Sequence, residues 1–461
     1  MSPGGWGDGL WGEMPWGNVG GFNERVAVAP ALAAQISHAK INRPRPADPP
    51  LVDYRLVLAS RASSGLGTPI VDDVLTIGTP MDTDFAGRWS RTINAAGTLE
   101  FQLPMDDPIV REDIFTPGQR ELHLYRDEKT GIGEELVWAG RLWIADVRWP
   151  WVRFMGMGFY EDFRHREISE DFYRFDAEQL QIAWEMLAYT QAEADGDVGV
   201  TLDSAASSGL NRTVEYCAEA RQNIAQAIED LASADDGFDF EVTPTKAWKT
   251  WFPQRGTDKT GSVILDGETS ISDLAYTVDA TQVENDVAGI GKKGDCEPIL
   301  FKRYEDTTSR ARYGLMQGTI ERSDVRQDDD LIGALARERL ALQSFSRKQP
   351  TVRFWNELNG PSPLRGDFDI GDAITIKASR GFATFDAPYR VLSYAVTFDH
   401  LGHETVDLTL DSLGQGSTTS VYHQSISAKT KVGVARGEYI EGPGGWGAGE
   451  WGASPWGGYQ A

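Results

Sequence analysis

The chain has 461 residues, enough for roughly three or four domains, and its 41% hydrophobic and 25% charged content is that of a folded protein and not of a disordered one. Its 69 acidic and 44 basic side chains give a formal net charge of −25, which argues against free association with a polyanion such as nucleic acid and favours solubility or a basic neighbour in an assembly. Cys217 and Cys296 are too few to staple a large fold and lack the CxxC spacing of a zinc site.

The N-terminal arm, residues 1–50, opens on Met1-Ser2-Pro3-Gly4-Gly5-Trp6 without the basic and apolar regions of a signal peptide. No uninterrupted apolar run has transmembrane length, so synthesis and folding in a cytoplasm are expected, with no stable membrane insertion. Residues 3–17 read PGGWGDGLWGEMPWG, and residues 443–457 read PGGWGAGEWGASPWG. Both follow PGGWGxGxWGxxPWG, with Trp6, Trp11 and Trp16 at one end and Trp446, Trp451 and Trp456 at the other. Glycine permits close backbone approach, proline lowers the entropy lost on docking, and each indole can bury on the order of 150–250 Å². A five-residue step fits neither helix nor strand. These are expected to be tethered partner-binding peptides laid across two equivalent acceptor sites. A Gly-rich disordered tail is the plainer reading, but such tails are usually poor in aromatics.

After the Pro-rich linker NRPRPADPP, residues 51–168 alternate apolar and polar in DYRLVLAS, GTLEFQLP, RELHLYRD and WVRFMGMGFYEDF, broken by turns such as Thr116-Pro117-Gly118. That pattern predicts a first antiparallel β-barrel domain. Residues 169–270 change period and predict an α+β module. It holds one helix capped by Asp176 and running to about Ala194, a second from about Ala218 to Ala234, and then the strands FDFEV and KAWKTWF. Residues 271–348 predict strands followed by a helix at about 329–345, begun by a run of Asp that suits its dipole. Residues 349–413, with GDFDIGDAITIKAS, APYRVLSYAVTFDH and HETVDLTLDSL, predict a second β-barrel. Residues 414–461 form a polar arm ending in the second Trp-Gly repeat. The fold class expected is mainly β, two small antiparallel barrels flanking α+β modules.

In order, VWAGRLWIADVRW with VRFMGMGFYEDFRHREI, the helix pair leading into DDGFDFEV, then ENDVAGIG, RARYGLMQGTIERSDV, DIGDAITI and YRVLSYAVTFDHLGHETVDLTL resemble the central hub proteins of phage tails. The resemblance covers about residues 51–413 and is strongest to the minor tail proteins of long-tailed, siphovirus-type actinobacterial bacteriophages. It implies a homotrimer whose paired barrels make a pseudo-six-fold ring in the virion's tail-tip baseplate. The partners it implies are a distal tail ring protein, a tape-measure protein and other minor tail or fibre proteins. Little chain remains after the second barrel for an appended hydrolase or spike.

Motifs for chemistry are missing: there is no GxSxG elbow, HExxH, P-loop or GxGxxG after a strand. No catalytic residue, cofactor or metal is therefore assigned. His400 and His403 in DHLGHE read as a solvated hairpin turn, and Asp324 to Asp330 as a helix start. Arg365-Gly366-Asp367 reads as a turn and not as an adhesion tripeptide, and the Asn211-Arg212-Thr213 sequon as idle. Trp248, Trp251 and Trp355 could stack on sugars, though packing is the commoner fate. The function expected is a structural hub subunit that takes part in assembly and host attachment. A glycan- or receptor-binding tip protein and a cell-wall hydrolase are the alternatives.

Overall fold

A computed structural model of the chain describes residues 52–76, 86–129, 133–203, 207–234, 236–291, 301–322, 329–345, 347–357, 360–380, 383–399 and 402–412. Both arms with their six repeat tryptophans, and also Cys296, His400 and 324–328 of the acidic run, lie outside the described residues. Mainly β structure with an α+β insert is what the described residues form.

The first run of strands is β1 (Asp53–Ser60), β2 (Pro69–Thr76), β3 (Ala86–Thr92), β4 (Thr98–Pro104), β5 (Arg120–Asp127), β6 (Glu135–Arg148) and β7 (Trp151–Gly158). Period-two alternation sends Leu99, Phe101 and Leu103 of β4 inward and leaves Glu100 and Gln102 part-exposed. The last run is β18 (Arg347–Trp355), β19 (Ala373–Arg380), β20 (Ala383–Asp399) and β21 (Glu404–Ser412). Between them lie β8 (Phe172–Glu178), β9 (Thr201–Leu202), β10 (Asn211–Tyr216), β11 (Asp239–Val242), β12 (Ala247–Trp251), β13 (Ile264–Asp266), β14 (Ile271–Asp279), β15 (Asp286–Gly291), β16 (Phe301–Glu305) and β17 (Gln317–Arg322).

The strands expected to make two barrels close no barrel among the described residues. They join in one 13-stranded sheet with the path β14-β18-β21-β20-β3-β4-β7-β6-β5-β1-β2, while β19 and β13 branch from β20. The cause is the length of β20. Its first half pairs with β19, and its second half pairs with β21 on one edge and β3 on the other, from Ser393↔Thr92 to Asp399↔Ala86. Gly87 makes this possible, because a Cβ there would sit 2.2 Å from Cζ of Phe398. One apolar cluster crosses the join: Tyr54 stacks on Phe398 at 4.0 Å and Trp89 meets Tyr394 edge-on at 5.8 Å.

A second core holds the α+β module. Helix α1 (Gln179–Gln191) is capped by Glu178, which accepts from the Gln181 amide at 2.8 Å. The sequence put the cap at Asp176, but β8 runs on to Glu178 through its pairing with Asn211 of β10. Helix α2 (Ile224–Ala232) starts six residues after the expected Ala218, because a 3-10 turn Ala218–Ala220 and the left-handed Arg221 (φ 46°) come first. Asn223 then caps it by accepting from the Gln226 amide at 3.0 Å. Two further helices are α3 (Thr307–Tyr313) and α4 (Asp329–Gln343). Helix α4 packs on the small sheet β16-β15-β17, where Gly289 admits it: a Cβ there would lie 2.8 Å from Ile332. No helix among the described residues is long and apolar enough to cross a membrane.

Candidate functional site

Buried ion pairs fasten the α+β module to the long sheet. Asp239 of β11 is fully buried and accepts from Asn94 Nδ2 at 3.0 Å, from the Arg255 amide at 2.6 Å and from Arg390 of β20. Two residues on, Glu241 is gripped by Arg91 of β3 at 2.8 Å and by Arg255. Burial alone would raise the Glu241 carboxyl, but Arg91 and Arg255 hold it below the usual carboxylate range. Arg255 reaches on to Asp369 at 2.6 Å. Residues about 150 to 300 apart in sequence (Arg91 with Glu241, Arg91 with Tyr394) thus share one polar seam.

A second fastening joins β5 to the loop before β12. Lys246, 1% exposed, donates to Glu121 Oε1 at 2.8 Å, and the amides of Ala62 and Gly67 each donate to Glu121 at 3.0 Å. Burial opposes the Glu121 charge, yet His123, Lys246 and the Ala62 amide hold its carboxyl down to about 2. A depressed folded-state value means stability that is complete above the ordinary value of 4.5 and is lost as pH falls through about 2. Urea unfolding of the native chain is therefore expected to lose of order 2–3 kcal/mol more between pH 5 and pH 2 than that of Glu121→Gln. Equal losses in the two proteins would contradict this account of Glu121.

A third knot sits under the sheet join. Glu404 accepts from Arg126 Nε at 2.7 Å, from Tyr54 Oη and from Asn356 Nδ2. Burial, then the nearby Glu404 charge, pushes the Tyr54 phenol well above its usual value.

The tryptophans expected to bind partners, Trp6, Trp11, Trp16, Trp446, Trp451 and Trp456, lie outside the described residues. His403 is buried and not solvated, with Nδ1 held by Asp399 at 2.8 Å in a tight turn. Arg365 is tied to Asn356 Oδ1 at 3.0 Å and to two backbone carbonyls, and Asp367 accepts from the Ser362 amide at 2.9 Å. Both charged ends of the tripeptide therefore serve the local turn. Trp248 is 1% exposed and stacks on Phe240 at 4.9 Å, a core residue and not a sugar platform. Trp251 is half-buried beneath the Arg255 guanidinium at 4.4 Å.

One outward residue was missed. The β6–β7 hairpin pairs as far as Arg148↔Trp151, which leaves Trp149 at its tip 84% exposed beside Val147 at 63%. The Pro150 carbonyl is held by the Met105 amide at 2.9 Å, so the indole is presented on a fixed support. A proline between two tryptophans in a strand pair was the available signal. Two polar features also reach the surface. An open cleft of about 490 Å³ lies between Gln254, Thr257, Asp258, Thr260, Asp386 and Pro388. Asp171, Cys217 and Glu219 bring one donor atom each within 4.8 Å of one another, an arrangement partly explained by Asp171 accepting from the Ala218 amide at 2.9 Å.

No family model and no curated protein sequence matches the chain. Solved structures do match. A tail protein from Neisseria meningitidis MC58 superposes with a TM-score of 0.51 at 12% identity, covering 80% of this chain and 99% of that one. The 43 kDa tail protein of prophage MuSo2 from Shewanella oneidensis gives 0.48 at 12% identity, covering 78% and 98%. Prophage tail protein gp18 from Listeria monocytogenes EGD-e gives 0.44 at 11% identity, covering 82% and 99%. The fold of this chain is similar to that of the Neisseria tail protein along 99% of the latter's length.

Proposed function

We propose that this chain is a structural subunit of a phage tail, and within the tail a hub of the tip that works by binding its neighbours and not by catalysis. The observation that carries the reading is the shared fold along nearly the entire Neisseria tail protein. The resemblance of the ordered segments to long-tailed phage hubs supports the finer reading. In it the folded body is one of three copies in a ring, and its partners are a distal tail ring protein, a tape-measure protein and tip fibre proteins. The protein is made in the host cytoplasm and ends in the virion. The net charge of −25 suits basic neighbours in that ring and does not suit DNA.

A hub must transmit load between neighbours without changing shape, and the three buried polar knots supply that stiffness across the body. The test is to purify the chain, measure its mass by sedimentation equilibrium, and localise it in tail particles by labelled electron microscopy. A trimer found at the tip is expected. A lasting monomer that never enters particles would sink the proposal. Trp149→Ala is expected to leave unfolding within about 0.5 kcal/mol of the native value while weakening capture by tail particles about tenfold or more. Unchanged capture would remove the hairpin tip from the interface.

A further inference from the structure

We propose that Arg61, Arg141 and Arg166 form a binding site for a single oxyanion, a carboxylate or phosphate group, where the first strands meet the α+β module. The site does not depend on the tail reading. Arg61 follows β1, Arg141 lies on β6, and Arg166 ends the 3-10 turn Phe159–His165 that carries Asp162.

Charge counting is the first argument. Elsewhere in this molecule guanidiniums meet carboxylates, as in Arg126–Glu404, Arg164–Glu229, Arg353–Asp407 and Arg390–Asp239. Here one carboxylate, Asp162, lies within the electrostatic reach of three guanidiniums, Arg141, Arg166 and Arg61, and only Arg141 pairs with it directly. Arg141 pairs with Asp162 at 2.7 Å, the two side chains 13% and 4% exposed. Arg61 donates only to the Asp195 carbonyl, at 3.5 Å. Arg166 donates only to the carbonyl and hydroxyl of Thr190, both at 3.3 Å. Two of the three cations therefore hydrogen-bond to neutral groups alone among the described residues.

Electrostatics agree with the count. Burial lowers the Arg141 guanidinium, and repulsion from Arg61 adds to it beyond what Asp162 restores. Burial likewise lowers Arg166, with Arg61 and Arg141 acting in the same direction. Arg126, Arg164 and Arg353 move the other way, each raised by its carboxylate. Burial also pushes the Asp162 carboxyl up, which weakens the one carboxylate directly paired within the cluster, while Glu121 and Glu193 act on Arg141 and Arg166 through the field alone.

The third argument is an unused donor. Trp143 Nε1 is buried without an acceptor. Its ring stacks on His165 at 4.7 Å and lies under the Arg141 guanidinium at 5.4 Å. Guanidinium forks and an indole N–H are donors only, so what completes them is an acceptor with several lone pairs and negative charge. A long polyanion is repelled by the net charge of −25, which leaves one compact group. Its source is either free phosphate or an acidic side chain of a second copy of this carboxylate-rich chain.

The test uses the full chain at low ionic strength. Inorganic phosphate is titrated calorimetrically into the native protein, Arg61→Ala and Arg61→Lys, and self-association is followed by sedimentation in phosphate-free buffer. Arg61 is exposed and outside the strands, so circular dichroism is expected to find all three equally folded. Phosphate binding that weakens about tenfold in Arg61→Ala and largely survives in Arg61→Lys supports a site for the free anion. Self-association that weakens by the same factor and is competed by phosphate supports a carboxylate from a second copy. Phosphate affinity identical in the native protein and Arg61→Ala overturns the proposal. So does an absence of both phosphate binding and Arg61-dependent association.

Discussion

Replacing Arg390 with methionine is expected to lower the unfolding free energy by about 3–5 kcal/mol, measured by urea denaturation at neutral pH. The arginine is 1% exposed and its partner Asp239 is fully buried, so neither charge is compensated by water when the other is removed. Besides Asp239, Arg390 donates to the Gly371 carbonyl at 3.2 Å and to the Arg255 carbonyl at 3.1 Å. Its loss therefore leaves one carboxylate and two carbonyls short of a donor. Asn94 and the Arg255 amide still hold Asp239, which is why the chain is expected to fold at all. Arg390→Lys keeps the charge but not the planar fork and is expected to recover only part of the loss. The double change Arg390→Met with Asp239→Leu removes both charges and is expected to be more stable than Arg390→Met alone. A single Arg390→Met variant within 1 kcal/mol of the native protein would mean that water reaches this seam and that the module is not locked to the sheet through it.

The same seam marks where the sequence stops being legible. Alternation in TLEFQLP tells which side chains of β4 face inward, and the acidic start with its following apolar spacing tells where α4 begins. Neither says which strand lies beside which. The pairing of β3 with β20 joins residues about 300 apart, and period-two patterning fixes a strand's face but not its edge neighbour. A mainly β chain with an α+β insert could therefore be read, whereas one continuous sheet in place of two barrels could not. RELHLYRD carries the same lesson at the level of single residues. Glu121 and His123 are the polar half of an alternating strand, yet both are 2% exposed. The insert brings Lys246 onto that second face, where its ammonium donates to Glu121 at 2.8 Å and lies 4.7 Å from the Phe159 ring. Lys246 and Arg390 are likewise residues that composition places in water. Only the fold reveals that their partners, distant in sequence, make burial tolerable. The cap of α1 was misplaced for a nearer reason: β8 continues past Asp176 to Glu178 through its pairing with Asn211, so the helix starts two residues later.

Loss of the terminal tryptophans is expected to have the largest effect on assembly. With Trp6, Trp11 and Trp16 changed to alanine, one peptide of the duplicated PGGWGxGxWGxxPWG sentence keeps its spacing but loses its anchors. Hot-spot tryptophans each cost about 2 kcal/mol or more when truncated. Even with strong non-additivity, three of them are expected to weaken that peptide's docking by about a thousandfold. If both peptides dock, the other end then holds alone, and tethered binding at two points is expected to fall to binding at one, a loss of about 10²–10⁴ in avidity. Changing Trp446, Trp451 and Trp456 is expected to do the same from the other side if the two acceptors are equivalent, and changing all six is expected to abolish incorporation. Copies of the chain per purified particle, counted by quantitative mass spectrometry, read this directly, and circular dichroism of each variant checks separately that the body is folded. A glycan-binding role gives a different pattern, in which particles contain the full complement of altered chains but fail to adsorb to cells. Full incorporation of the six-fold variant together with normal adsorption would leave the repeats without a binding role, since an indole anchor that can be deleted at every position without consequence is not docking on anything.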